Sequence, residues 1–133
     1  MNDSDAVGPY GRAWLETDAA RRDELLEKAW AADAVYCDPL ALLHGRQALS
    51  DHIAATQASL AGGRIAVTAE AVRHHDSVFF PWAMLDADGT QVVSGFDVAQ
   101  LDDDGRITRL TGFFDPQVIG EHAAGTPGTV AGP

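Results

Sequence analysis

The chain changes its hydrophobic period near its midpoint. In the first half, apolar residues fall on helical stripes. Tyr10, Trp14 and Leu15 mark one side of a helix that begins at Pro9. Thr17-Asp18 interrupts it, and Asp18 is placed to cap a second helix. That helix has Leu25, Leu26, Ala29 and Trp30 on its inner stripe, with Arg21, Arg22, Asp23, Glu24, Glu27 and Lys28 outside. Gly45 opens a third helix over roughly residues 46–61, closed by Gly62-Gly63. Leu49, Ile53, Thr56 and Leu60 share its inner face, with His52 at the margin. Between the second and third helices lies a short strand, Val35 to Asp38, that stops at Pro39. Val and Tyr favour a pleated backbone, and proline lacks the N–H that a sheet ladder needs.

From Ile65 onward the pattern alternates with the period of strands. Ile65, Val67, Ala69 and Ala71 form the inner positions of the first. Residues 78–85, which include Pro81, form the second; 91–101 and 107–114 form the third and fourth. Asp88-Gly89 and Asp102-Asp103-Asp104-Gly105 are tight turns between them. Three helices, one strand between them and a four-stranded antiparallel meander make an α+β fold. A strongly bent antiparallel sheet wrapped around the three helices encloses a conical pocket, and Gly95 and Pro81 are the kind of residues that permit such bending. One domain covers residues 1–119, and the small-residue stretch 120–133 is expected to be a flexible tail.

With 133 residues, 46% of them hydrophobic, the chain has material for one core. No apolar run is long enough to span a bilayer, and Met1 to Asp5 lacks the basic-then-apolar pattern of a signal peptide, so a cytoplasmic location is expected. A net charge of -11 argues against nucleic acid or an anionic membrane as partner. Cys37 is the single cysteine, which excludes an intrachain disulfide and a multi-cysteine zinc site.

Two aspartates carry the candidate chemistry. Asp38 sits at a strand end, with its direction fixed by Pro39 and with Tyr36 on the same face. It is either half of a reactive pocket or a turn cap. Asp97 shares a strand face with Val93, Gly95, Ala99 and Leu101. On a concave face it is buried, and then protonated or paired; on a convex face it is an ordinary solvated side chain. The small residues around it favour the concave face, where they leave room for a ligand. Two carboxylates in unlike environments are a usual route to an acid/base pair. His52 can point into the cone near Asp38, and Trp82 and Met84 share a face as pocket wall. In the last strand, simple alternation puts Ile107, Arg109, Thr111, Phe113 and Asp115 on one face and Phe114 on the other. Cys37 faces away from Asp38. His74-His75 directs its rings to opposite faces, and no His/carboxylate spacing matches a metal motif, so no metal site is expected.

Tyr36-x-Asp38-Pro39 followed by Gly45, Gly95-Phe96-Asp97, and the Asp104-Gly105-Arg106-Ile107 turn leading to Phe113-Phe114 occur in an order, over about residues 10–119, that resembles the nuclear transport factor 2-like superfamily. More narrowly, the chain resembles the ketosteroid isomerase and SnoaL-like polyketide cyclase branch. The resemblance implies the cone-shaped fold, a cystatin-like roll. It implies that Asp38 stands where the isomerases keep the base that moves a proton between carbons. Asp97 stands where they keep a protonated acid that hydrogen-bonds the substrate oxyanion. The family tyrosine of the first helix has Trp14 at its position, whose indole donates a hydrogen bond but is no phenol; Tyr36 is a phenol from another direction. In the cyclases, an aspartate acts as general acid/base in aldol ring closure. Epoxide hydrolases of this superfold use an Asp-Arg-Asp set, for which Arg109 is the strand arginine to test.

The implied function is a cofactor-independent enzyme that isomerises or cyclises a small apolar carbonyl compound. Asp38 and Asp97 would be catalytic, and Trp14, Tyr36, His52, Trp82, Met84 and Phe113 would shape the pocket. The same fold also serves proteins that bind a small molecule without reacting. Apolar residues on the convex sheet face, Phe79, Phe96 and Val98, imply a homodimer through that face.

Overall fold

The computed structural model describes residues 6–115, so the expected tail from Gly120 lies outside the described residues. Three helices are present: α1 Val7–Leu15, α2 Ala19–Ala29 and α3 Arg46–Ser59. The strands are β1 Trp30–Asp38, β2 Ala41–His44, β3 Arg64–Val67, β4 Val72–His74, β5 Ser77–Leu85, β6 Gln91–Leu101 and β7 Ile107–Phe114. No helix among the described residues is long and apolar enough to cross a membrane.

Local signals set the helix ends. The Asp18 carboxylate accepts the Arg21 N–H at 3.0 Å and caps α2. Gly45 precedes α3 with a φ of +88°, a left-handed backbone that a side chain would resist, and so turns the chain from β2 into the helix. The inner stripe of α2 differs from the expected one. Arg22 is 3% exposed and lies one turn before Leu26, on the face that Leu26 and Ala29 bury. Its Nε donates to Ser50 Oγ on α3 at 3.0 Å, and its Nη1 donates to the Glu16 carbonyl at 2.7 Å. Gln57 of α3 donates to the Trp14 and Glu16 carbonyls at 2.9 and 3.0 Å. These bonds occupy carbonyls that the end of α1 leaves without helical partners. They hold α1 and α3 together as one wall of the molecule.

The sheet has seven strands in the order β2-β1-β7-β6-β5-β3, with β4 also paired to β5. It curls into a half-barrel over the helices. The pairing is antiparallel except between β1 and β7, which run parallel, so the sheet is mixed where a wholly antiparallel one was expected. Register shifts interrupt the ladders in β1 after Trp30, between Met84 and Leu85, and between Gln100 and Leu101. Irregularities of this kind increase local twist and bend. β1 starts at Trp30, directly after α2, and is longer than the expected Val35 to Asp38. The expected strand from Ile65 to Ala71 is two strands. Val67 pairs with Trp82 and Val72 with Phe79, so residues 68–71 bulge past Phe80 and Pro81. Pro81 has no N–H to offer a partner; only its carbonyl is used, by the Thr68 N–H at 3.1 Å.

The helices cover the concave face. Trp30, Phe80, Leu26, Leu49, Ile53, Ile107, Leu110 and Val78 are fully buried there. Burial of such side chains is worth about 1.5–3 kcal/mol each, which makes this packing the main force holding helices to sheet. Where the filling stops, a cavity remains between the two layers.

Candidate active site

Four adjacent strands bring the two aspartates to one level of the sheet. Asp97 on β6 pairs with Phe80 on β5 and with Gly112 on β7. On the other side of β7, β1 pairs Cys37 with Thr111, which sets Asp38 beside Gly112. Gly112 therefore stands between the carboxylates. A Cβ at this position would lie 2.8 Å from Asp97 Oδ1 and 3.4 Å from Asp38 Cβ. The missing side chain is the space in which both acids reach the cavity.

Asp38 lines the cavity and also caps a turn. Its Oδ1 accepts the Leu40 and Ala41 N–H groups at 2.8 and 2.9 Å and so pins the β1–β2 turn. Its Oδ2 accepts the Tyr36 hydroxyl at 2.7 Å. With Oδ1 engaged by two amides, Oδ2 is the oxygen that keeps a lone pair for a further partner. Burial pushes the Tyr36 phenol well above its ordinary range, and Tyr10 and Asp38 add to the rise. It remains a neutral donor.

Asp97 lies on the concave face and is 8% exposed. Burial pushes its carboxyl up to about 8, the nearby Asp38 charge adds to this, and a hydrogen bond from Trp82 offsets part of it. At neutral pH it is therefore protonated and able to donate. Trp82 reaches it because Gly95, its partner across the ladder, has no side chain: a Cβ there would lie 2.5 and 2.7 Å from two atoms of the indole.

From the sequence, Trp14 is expected where the family tyrosine stands. The structure supplies a phenol from α1 nonetheless, one turn earlier, at Tyr10. Burial pushes this phenol well above its ordinary range, and the charge of Asp97 adds to the rise, while a hydrogen bond from Trp14 works against it. Tyr10 is thus a second neutral donor, close to Asp97, with Trp14 behind it.

Trp14, Tyr36, His52, Trp82 and Met84 all line the cavity with the two aspartates. His52 stands edge-on to Trp14 at 5.9 Å and tilted against Tyr36 at 5.4 Å. Phe113 does not line it. It is 52% exposed, and Phe114 takes the inner position, edge-on to Trp82 at 5.9 Å. The cause is a bulge at the start of β7. Leu101 pairs with Ile107 and Gln100 with Arg109, so Thr108 is an extra residue that reverses the alternation beyond it. Ile107 is buried, whereas Arg109 is exposed and away from the cavity, which leaves the Asp-Arg-Asp arrangement without its arginine. The His74 and His75 rings also depart from expectation. His75 adopts a φ of +52°, which ends the strand alternation and brings the two Nδ1 atoms to 3.2 Å. Among the described residues, no group of three or more His, Cys, Asp or Glu side chains is placed to hold a metal ion.

The model of the SnoaL-like domain matches residues 11–110. The chain belongs to the SnoaL-like family. Among solved structures, it is similar to a candidate isomerase of the SnoaL-like family from Agrobacterium tumefaciens. The two are 34% identical, over 83% of this chain and 94% of that one, with a TM-score of 0.77. A candidate polyketide cyclase from Sinorhizobium meliloti shares the fold at 23% identity, covering 80% of this chain and 92% of its own, with a TM-score of 0.63. So does an NTF2-like protein of unknown function from Exiguobacterium, at 20% identity, 84% and 98% coverage and a TM-score of 0.65. None of the curated proteins matches the chain. The SnoaL-like cavity thus holds one carboxylate oxygen open to a proton, and a buried acid and a phenol able to donate to an oxygen.

Proposed function

We propose that this SnoaL-like protein is a cofactor-independent acid/base enzyme that moves a proton within a small apolar carbonyl compound, by isomerisation or by aldol-type ring closure. One observation carries the reading: Asp97 is buried, which pushes its carboxyl up to about 8, and it stands level with Asp38 across the gap left by Gly112. Asp38 Oδ2 takes a proton from the carbon next to the carbonyl. The C–H electron pair becomes the enolate, whose oxygen receives hydrogen bonds from Asp97 and Tyr10. In isomerisation Asp38 returns the proton to another carbon. In ring closure the enolate carbon attacks a second carbonyl of the same molecule, and the proton goes to the new hydroxyl. A positioned base contributes about 10²–10⁴-fold, and an oxyanion donor about 10²–10³-fold. Relatives described as a candidate isomerase and a candidate cyclase are consistent with either outcome.

The test is hydrogen–deuterium exchange next to the carbonyl of cyclohexenones in heavy water, followed against pH. Asp97 donates only while protonated, and its carboxyl is pushed up to about 8. Exchange should therefore hold up to about that pH and then fall roughly tenfold per pH unit. A rate that climbs steadily from pH 7 to 10 would contradict the assignment.

We also propose that two copies pair through the convex sheet face. Phe79 and Phe96 stack there at 5.3 Å, and Phe79, Val92 and Phe113 are 43%, 56% and 52% exposed. Monomers seldom leave such a contiguous apolar patch uncovered. Sedimentation at micromolar concentration should show a dimer that Phe79→Glu with Phe113→Glu dissociates. A wild-type monomer would remove the reading.

A further inference from the structure

The β4–β5 hairpin turns through His74-His75-Asp76-Ser77, and none of these four residues lines the cavity. On a continuous strand the two histidines would point to opposite faces. His75 instead adopts a φ of +52°, a left-handed backbone that side chains rarely take up, and the two rings converge. They stand edge-on, with planes at 84° and centroids 5.4 Å apart, and their Nδ1 atoms lie 3.2 Å from each other. Both histidines are exposed. The backbone beneath them is tied down at three points. His74 pairs with Ser77, whose hydroxyl donates to Gln100 at 3.1 Å. The Arg73 Nε donates to the His75 carbonyl at 3.2 Å, and the Leu101 N–H donates to the Asp76 carbonyl at 2.9 Å. The convergence of the rings is thus built into the turn.

A neutral imidazole with its proton on Nε2 offers a lone pair at Nδ1. Metal–imidazole bonds of about 2.0–2.1 Å put two ligands about 2.8–3.0 Å apart at a right angle and about 3.3–3.4 Å apart at the tetrahedral angle. The 3.2 Å between the Nδ1 atoms falls between these values, so the two nitrogens already have the spacing of neighbouring ligands on one ion. Two protein ligands leave the remaining positions to water, which makes an open site and not a closed structural one. Arg73 and Asp76 balance the charge of the turn, and the chain as a whole, at -11, attracts cations. We propose that His74 Nδ1 and His75 Nδ1 chelate a divalent transition-metal ion at the surface, Cu(II) ahead of Zn(II) by the general order of affinities for nitrogen sites. This site stands apart from the acid/base cavity and does not depend on it.

The test is titration of the full-length chain with Cu(II) alone, read by calorimetry and electron paramagnetic resonance. All samples carry Cys37→Ser, so that no thiol reduces the ion. One ion per chain should bind and show coupling to two nitrogens, and Zn(II) should bind at least tenfold more weakly. His74→Ala should weaken Cu(II) binding at least tenfold and abolish the two-nitrogen signal. His75→Asn should do the same while keeping the turn, because asparagine also accepts a left-handed backbone. Urea midpoints check that both variants stay folded. A parent protein that takes up no stoichiometric Cu(II) overturns the proposal. Affinity within threefold of the parent in both variants means an adventitious ion only and overturns it too. Loss of binding in only one variant means a single imidazole ligand, which overturns the chelate.

Discussion

Asp38→Asn is expected to lower turnover about 10²–10⁴-fold while the protein stays folded. The substitution separates the two roles of the residue. An asparagine oxygen can still accept the Leu40 and Ala41 N–H groups, so the turn survives. The amide nitrogen then replaces Oδ2, the atom proposed to take the proton. The Tyr36 hydroxyl loses a charged acceptor, a loss of about 1.5–3 kcal/mol at most, and part returns if it accepts from the new amide. Steady-state rates on cyclohex-3-enone, read beside urea midpoints, make the comparison. Turnover within threefold of wild type, in a folded variant, would remove Asp38 from the mechanism.

Asp97→Asn should change stability and activity in opposite directions. The Asp97 carboxyl has an ordinary value of 3.8 and is pushed up to about 8 in the folded protein, mainly by burial. The folded state thus binds a proton that the unfolded chain releases. The stability this group contributes is complete below pH 3.8 and declines as pH rises towards 8. By pH 7 the wild type has lost up to about 4 kcal/mol through this one residue. Asparagine is neutral at every pH and of nearly the same shape. The variant should gain up to that amount at pH 7 and almost nothing at pH 4. Turnover should fall about tenfold or more, because an amide donates a weaker hydrogen bond to an oxyanion than a carboxylic acid does. Urea unfolding of both proteins at pH 4 and pH 7 decides it. A variant less stable than wild type at pH 7 would show that Asp97 is ionised and well paired in the native state.

The parts of this protein that sequence could reveal were those fixed by short-range pattern. Asp18 as a cap, Gly45 as a helix opening, and the shared faces of Tyr36 with Asp38 and of Gly95 with Asp97 all depend on neighbours within a few residues. What sequence could not reveal depends on partners far along the chain. Arg22 looks like a surface arginine until Ser50 and the end of α1 are placed around it. Gly112 is unremarkable until the register of β6, β7 and β1 sets it between two aspartates. Strict period-two counting puts Phe113 and Arg109 on the face of Ile107, and one bulged residue, Thr108, reverses that alternation. Tyr10 shares the face of Trp14 at a spacing of one helical turn, a short-range pattern that places a phenol beside the indole.

Asp97 is proposed to be a neutral acid in the resting protein, with Asp38 across Gly112 from it. Carbon-13 NMR of the aspartate carboxyl groups, with Asp97 assigned by its absence in Asp97→Asn, measures this directly. The Asp97 signal is expected to hold the chemical shift of a protonated carboxyl at pH 6 and to titrate near 8. A signal that is already that of a carboxylate at pH 6, titrating near 4, would contradict the acid/base account.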